Sequence, residues 1–428
     1  MTDSGLTATT ASTASQPSSR AQAPEQVVGL DDWETGQLRA PEQHLCSPGY
    51  ACPVGERLKH FTWAWFGITM STGALGILFQ DTPNRFTGLA TIGKLAFITA
   101  IAMFLLSVAA ITYRFVKTPR GLKTSLLHPT ESLFFPSALI SIALLLANSA
   151  TYGVPVSGPW LPVALRVCFW IYTSVALSSS VIQYTIVFNA AKLPIRSMSP
   201  LWMFPVFPTL LTGVLASTIA TSQPPPQRLP ILVAGVTYMG LGFTVALILY
   251  PLYLYRLTQE GFPATAMRPG MFVAVGPPSF TAAGLIGLCK SIPLHYGYFE
   301  TFPASPEMLR VIALWISVWL WAVALWFFAF TAIALVMGVI RDGIRFSMAW
   351  WAIVFPNAAF TIATSLIGEE LDSQGVRGVA TAMTILIVVL WFVTLFSTVR
   401  AVIRSQVLWP GRDEDFGHTN YKLDSGVS

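Results

Sequence analysis

The residues best placed to do chemistry in this sequence are hydroxyls beside prolines, not acids, bases or nucleophiles. Pro136, Pro208, Pro278 and Pro356 recur at intervals of 72, 70 and 78 residues, and Phe135, Phe207 and Phe355 directly precede three of them. Each proline lies in a long apolar stretch. There it removes an amide hydrogen bond and frees an upstream carbonyl, which survives only against protein or a water-filled path. Stepping back one more interval lands on Phe66, in a stretch with Thr69, Gly67, Gly73 and Gly76 but no proline. Ser137, Thr209, Ser279 and Thr361 lie beside or near the prolines. A wall of hydroxyls, helix ends and freed carbonyls with almost no fixed charge can pass a small anion drawn in by basic mouths. The candidate wall is Thr69, Gly73, Pro136, Ser137, Pro208, Thr209, Pro278, Ser279, Pro356 and Thr361. Lys123, His128 and Arg345 are candidates for a mouth that attracts anions. The fourth repeat departs from the others, with Gly276-Pro277-Pro278 in place of Phe-Pro.

Other chemistries lack their residues. No phosphate-binding glycine loop, zinc-protease helix or nucleophile elbow is present. This disfavours an ATP-driven pump, a membrane enzyme or a receptor built around a catalytic constellation. No metal site and no cofactor is expected. The four cysteines, Cys46, Cys52, Cys168 and Cys289, form no CxxC pair and read as ordinary thiols.

The elements that must position the hydroxyls are membrane helices. Of the 428 residues, 54% are hydrophobic and only 11% charged, and the mean hydropathy is +0.61. A soluble globule could not cover that much apolar surface. Apolar spans of bilayer length fall near 61–79, 93–115, 132–150, 162–188, 201–220, 230–255, 272–289, 309–340, 347–367 and 379–402. The prolines all sit in odd-numbered spans. The expected fold is therefore all-α: ten transmembrane helices as five parallel hairpins, with the odd helices around a central pore. Loops after even spans carry Arg114, Lys117, Arg120 and Lys123, then Lys192 and Arg196, then Arg256 and Arg268, then Arg341 and Arg345. The positive-inside rule then places both termini in the cytosol. The net charge of +5 is topological, and no nucleic-acid partner is expected. Residues 1–56 and 406–428 read as cytosolic tails, the first disordered, flanking a transport domain at 57–405. Glu131, His128, Arg166 and Lys290 lie near span ends and read as interfacial anchors or local ion pairs.

Several motifs agree in order with a known family. FTWAWFGITMSTG at 61–73, HPTESLFFP at 128–136 and WWAIVFP at 350–356 resemble the tellurite-resistance/dicarboxylate transporter family. RFTGLATIGK at 85–94 narrows the resemblance to the fungal malic acid permease branch, related to slow-type anion channels. The resemblance covers about 57–405. It implies a plasma-membrane carrier of a small anionic substrate, a C4-dicarboxylate such as malate or succinate. Its path would be channel-like or proton-coupled, and sulfite or another small inorganic anion is the alternative. It also implies homo-oligomers, trimers in some members. In that family a phenylalanine on the ninth helix plugs the pore. The matching position is Phe355, and Phe360, one turn further, is its rival.

Overall fold

The computed structural model describes residues 52–118, 121–191, 194–409 and 412, so most of both expected tails lies outside the described residues. Ten helices organise the rest: α1 (Phe66–Asp81), α2 (Leu89–Lys117), α3 (Pro136–Asn148), α4 (Trp160–Ile186), α5 (Phe207–Ala220), α6 (Pro225–Glu260), α7 (Gly276–Lys290), α8 (Ser305–Asp342), α9 (Phe355–Glu370) and α10 (Gln374–Ile403). No strand occurs among the described residues.

Each odd helix is entered through a 3-10 segment: Trp63–Trp65, Glu131–Phe134, Pro200–Val206, Thr265–Val275 and Met348–Ile353. The prolines sit where that segment becomes an α-helix: Pro136 is the first residue of α3, Pro208 and Pro356 are the second of α5 and α9, and Pro278 is the third of α7. A first-turn proline loses no bond, because that N–H has no helical partner anyway. The prolines thus mark changes of helix type rather than the broken mid-span hydrogen bonds expected from the sequence. The fourth repeat also shifts register. Pro277 takes the second position of α7, as Pro208 does in α5 and Pro356 in α9. Thr281 donates to the Pro277 carbonyl at 2.7 Å as Thr212 does to that of Pro208 at 3.4 Å. Gly276, not Pro277, therefore stands where the other repeats carry phenylalanine.

The odd helices are inside. α1 packs on α3, α3 on α5, α5 on α7, α7 on α9, and α9 back on α1, closing a five-membered ring. Spans containing α3, α5, α7 and α9 are 61–94% buried, whereas those of the even helices are 17–39% buried. α2, α6, α8 and α10 pack chiefly on the preceding odd helix, and α4 packs on both α3 and α5. Their outer faces present residues such as Leu106, Ile182, Trp319 and Phe396, the side chains that lipid tails solvate at no cost.

Nine helices among the described residues are long and apolar enough to cross a membrane. The segment Trp63–Asp81 falls short because glycine, serine and threonine replace aliphatic residues there. Those small residues let α3 approach. Asn148 donates to the Gly73 carbonyl at 2.8 Å and Tyr152 to that of Gly76 at 2.6 Å. A Cβ on Gly76 would lie 2.1 Å from the Asn148 amide oxygen. The two ends of the ring domain also meet. Arg57, in the short helix Val54–Leu58, donates to the carbonyls of Val402 at 2.6 Å and Leu408 at 3.2 Å. Among the cysteines, Cys168 and Cys289 are free, but Cys52 is disulfide-bonded, against the expectation of a plain thiol.

Candidate functional site: a phenylalanine cluster within the five-helix ring

Rings from non-adjacent helices meet inside the ring. Phe207 opens α5 and Phe355 opens α9, with α7 between them, yet their ring centroids are 6.5 Å apart. Phe280 of α7 completes the cluster, 4.9 Å from Phe355. All three are buried. Two side chains can reach past α7 only if it offers no bulk at that level, and it offers Gly276. A Cβ there would sit 2.8 Å from Cε1 and 2.9 Å from Cζ of Phe207. The missing phenylalanine of the fourth repeat is the space that the Phe207 ring fills.

Phe360 has different surroundings. Its ring packs on Trp321 at 5.6 Å and Phe328 at 5.9 Å, both on the outer helix α8. Of the two gate candidates, Phe355 is the one whose ring packs on rings of the inner helices among the described residues. Phe207 and Phe280 were not singled out as plug residues from the sequence. The Phe-Pro repeat and its one gap were the available signal.

The candidate hydroxyls divide by partner. Ser279 donates to the Val275 carbonyl at 2.7 Å and Thr361 to that of Asn357 at 2.8 Å, each one turn back. Ser137 donates to the carbonyls of Trp63 and Phe134 at 2.8 and 2.6 Å, tying α3 to the entry of α1. Thr209 turns to the outer helix, donating to Ala176 at 3.2 Å. Thr69 is buried and its hydroxyl has no protein partner, as is true of the Asn357 amide oxygen and the Ser365 hydroxyl on the neighbouring α9. The two open hydroxyls can donate to water or to a passing anion, whereas the Asn357 amide oxygen can only accept, as from water. Gly73 faces Leu144 and Asn148 of α3.

The mouth candidates lie at the entry side. Lys123 is exposed on the short helix Gly121–Leu127, and Arg345 is exposed in the segment after α8. His128 is half-buried, and its Nδ1 accepts the amide of Glu131 at 3.1 Å. Arg114 and Glu131 are not surface charges. Their side chains are 3% and 0% exposed and form a two-pronged ion pair. Arg114 also donates to the Phe61 carbonyl at 2.9 Å, Ser125 to Glu131 at 2.9 Å, and Trp63 to Ser125 at 2.8 Å. This knot joins the entries of α1 and α3 to the end of α2. Among the described residues no group of three or more His, Cys, Asp or Glu stands together as metal ligands do.

The charges of the five inner α-helices are few and one-sided. α3 and α5 have none, and the others carry only Asp81, Lys290, Glu369 and Glu370, all in the last turn. A path along this axis would meet helix N-termini, hydroxyls and aromatic rings before it met a formal charge.

Comparison with known proteins follows the same line. The voltage-dependent anion channel family profile matches residues 60–399. The chain is 32% identical over 376 residues to the malic acid transport protein of Schizosaccharomyces pombe, covering 88% of this chain and 86% of that one. A putative malic acid transport protein of the same organism is 33% identical over 363 residues, covering 85% and 84%. Sulfite efflux pump SSU1 of Arthroderma benhamiae is 23% identical over 349 residues, covering 80% and 91%.

Proposed function

Because the chain belongs to the voltage-dependent anion channel family, we propose that it carries C4-dicarboxylates such as malate across the plasma membrane along the axis of the five-helix ring. The observation that carries this reading is the ring itself, closed by α1 against α9, free of formal charge until the last turns of its helices and crossed by the rings of Phe207, Phe280 and Phe355. The similarity to malic acid transport proteins over more than four-fifths of the chain supports the substrate class. With both termini cytosolic, the N-termini of the five inner helices point toward the cytosolic entry. Each helix N-terminus acts as roughly half a positive charge, so the entry favours anions. An inside-negative potential then drives them outward. It is worth about 2.3 kcal/mol per elementary charge per 100 mV, and a dianion gains about twice that.

Uptake and efflux of radiolabelled malate and sulfite, measured side by side in a transporter-deficient host, test the substrate class. Malate flux is expected, with succinate competing strongly and lactate weakly. Sulfite flux without malate flux would move the chain to the sulfite reading, which the more distant similarity to a sulfite pump supports.

The topology is part of the proposal. The contact of Arg57 with Val402 and Leu408 holds the two ends of the ring domain on one side. That contact supports an even number of crossings, with Trp63–Asp81 as the tenth. Tags on either terminus of intact cells should resist protease added outside. Cleavage of one tag alone would overturn the even count.

A further inference from the structure

The four charges of the inner helices form one group at the outer end of the proposed path. Lys290, the last residue of α7, holds Glu369 at 3.0 Å and Glu370 at 3.4 Å on the tip of α9. Glu370 is 6% exposed and has a second, bidentate partner in Arg310 of α8, at 2.7 and 3.1 Å. Among the described residues Glu369 has no such second cation, and it and Lys290 are 39% and 34% exposed. Asp81, at the end of α1, feels the charges of Glu369, Lys290 and Arg85. The two glutamates are therefore held unequally. One is buried and doubly paired, and the other is a half-exposed carboxylate on a single ammonium.

An anion leaving the axis would meet the carboxylates of Glu369 and Glu370 here, together with the negative ends of five parallel helices. Lys290 is the only cation that the inner α-helices offer against this field. A half-exposed ion pair contributes little net free energy and exchanges readily. An ammonium holding one loosely bound carboxylate is a ready-made seat for another.

We propose that Lys290 is the outer carboxylate-binding residue of the pathway, and that the substrate carboxylate takes the place which Glu369 holds in this structure. The closed mouth is thus occupied by the chain's own surrogate for its ligand, and Glu369 competes with substrate from outside. This rests on the transport reading given above.

The test is malate flux into and out of cells or vesicles holding the full chain, as a function of malate concentration at each face. The variants are Lys290→Gln, Glu369→Gln, the double variant and Lys290→Arg, with surface amount quantified for each. Lys290→Gln is expected to raise the outer half-saturating concentration about tenfold, the worth of one hydrogen bond to a charged group. Glu369→Gln should lower it, because the competitor is gone, and Lys290→Arg should restore it toward the parent value. A merely structural pair would lower surface amount in both single variants and leave outer half-saturation unmoved, which overturns the proposal. Equal shifts at both faces overturn it too. The same shifts measured with sulfite, in a chain that carries no malate, would keep the Lys290 site and remove only the dicarboxylate reading. A parent chain that carries neither anion overturns both.

Discussion

Phe355→Ala is expected to conduct more anion than the parent at equal surface amount. The Phe355 ring packs at 4.9 Å on Phe280 and at 6.5 Å on Phe207, inside the ring of inner helices. Truncating a buried phenylalanine typically removes roughly 3–5 kcal/mol of packing. If that packing holds the plug closed, 3 kcal/mol lowers the closed-to-open ratio on the order of a hundredfold. Phe207→Ala should act in the same direction and more weakly, since Phe280 still covers Phe355. Phe360→Ala is the contrast. Its ring fills the α8–α9 contact beside Trp321 and Phe328, so its loss should lower surface amount without raising current per molecule. A Phe355→Ala protein present in normal amount that conducts no more than the parent removes the gate from this position.

The largest expected effect on stability lies at Arg114 and Glu131. Removing one member of a buried ion pair leaves the other charge uncompensated, at a cost of roughly 3–5 kcal/mol. Here the loss would also free the Phe61 carbonyl and the Ser125 hydroxyl. Glu131→Gln and Arg114→Ala should each abolish most surface expression, and should lower the unfolding temperature of any protein recovered in detergent. Joint replacement by Arg114→Met and Glu131→Leu should recover part of it, because a packed apolar pair replaces both charges and their desolvation. Single variants that express and melt like the parent would show that the pair is not buried in the membrane-embedded protein.

Much of the architecture was legible in the sequence. The recurrence of a proline about every 70 residues marked four of the five inner helices, although the outer helix α6 also carries Pro230 and Pro251, and the resemblance at 350–356 pointed to Phe355. Other features were hidden for physical reasons. The 3-10 entries carry large apolar side chains such as Trp63, Phe134, Phe204, Phe272 and Trp351, so hydropathy could not show that the prolines stand near helix starts. A helix buried on every side has no polar face to fix its rotation. The direction of Thr209 toward α4, and of Phe360 toward α8, therefore left no trace in residue spacing. Arg114 read as a topological charge because its partner, Glu131, lies on the next element, and only folding brings them together. The gap at Gly276 was visible but looked like a defect in the wall. It is the position that admits the Phe207 ring.

The most direct test of the central claim is flux in purified form. The full chain reconstituted in liposomes loaded with labelled malate should release it when an inside-negative potential is imposed. Release should be faster for Phe355→Ala than for the parent and absent from protein-free liposomes. Liposomes that hold folded protein yet retain their malate at every imposed potential, for parent and Phe355→Ala alike, would contradict a malate path through the five-helix ring.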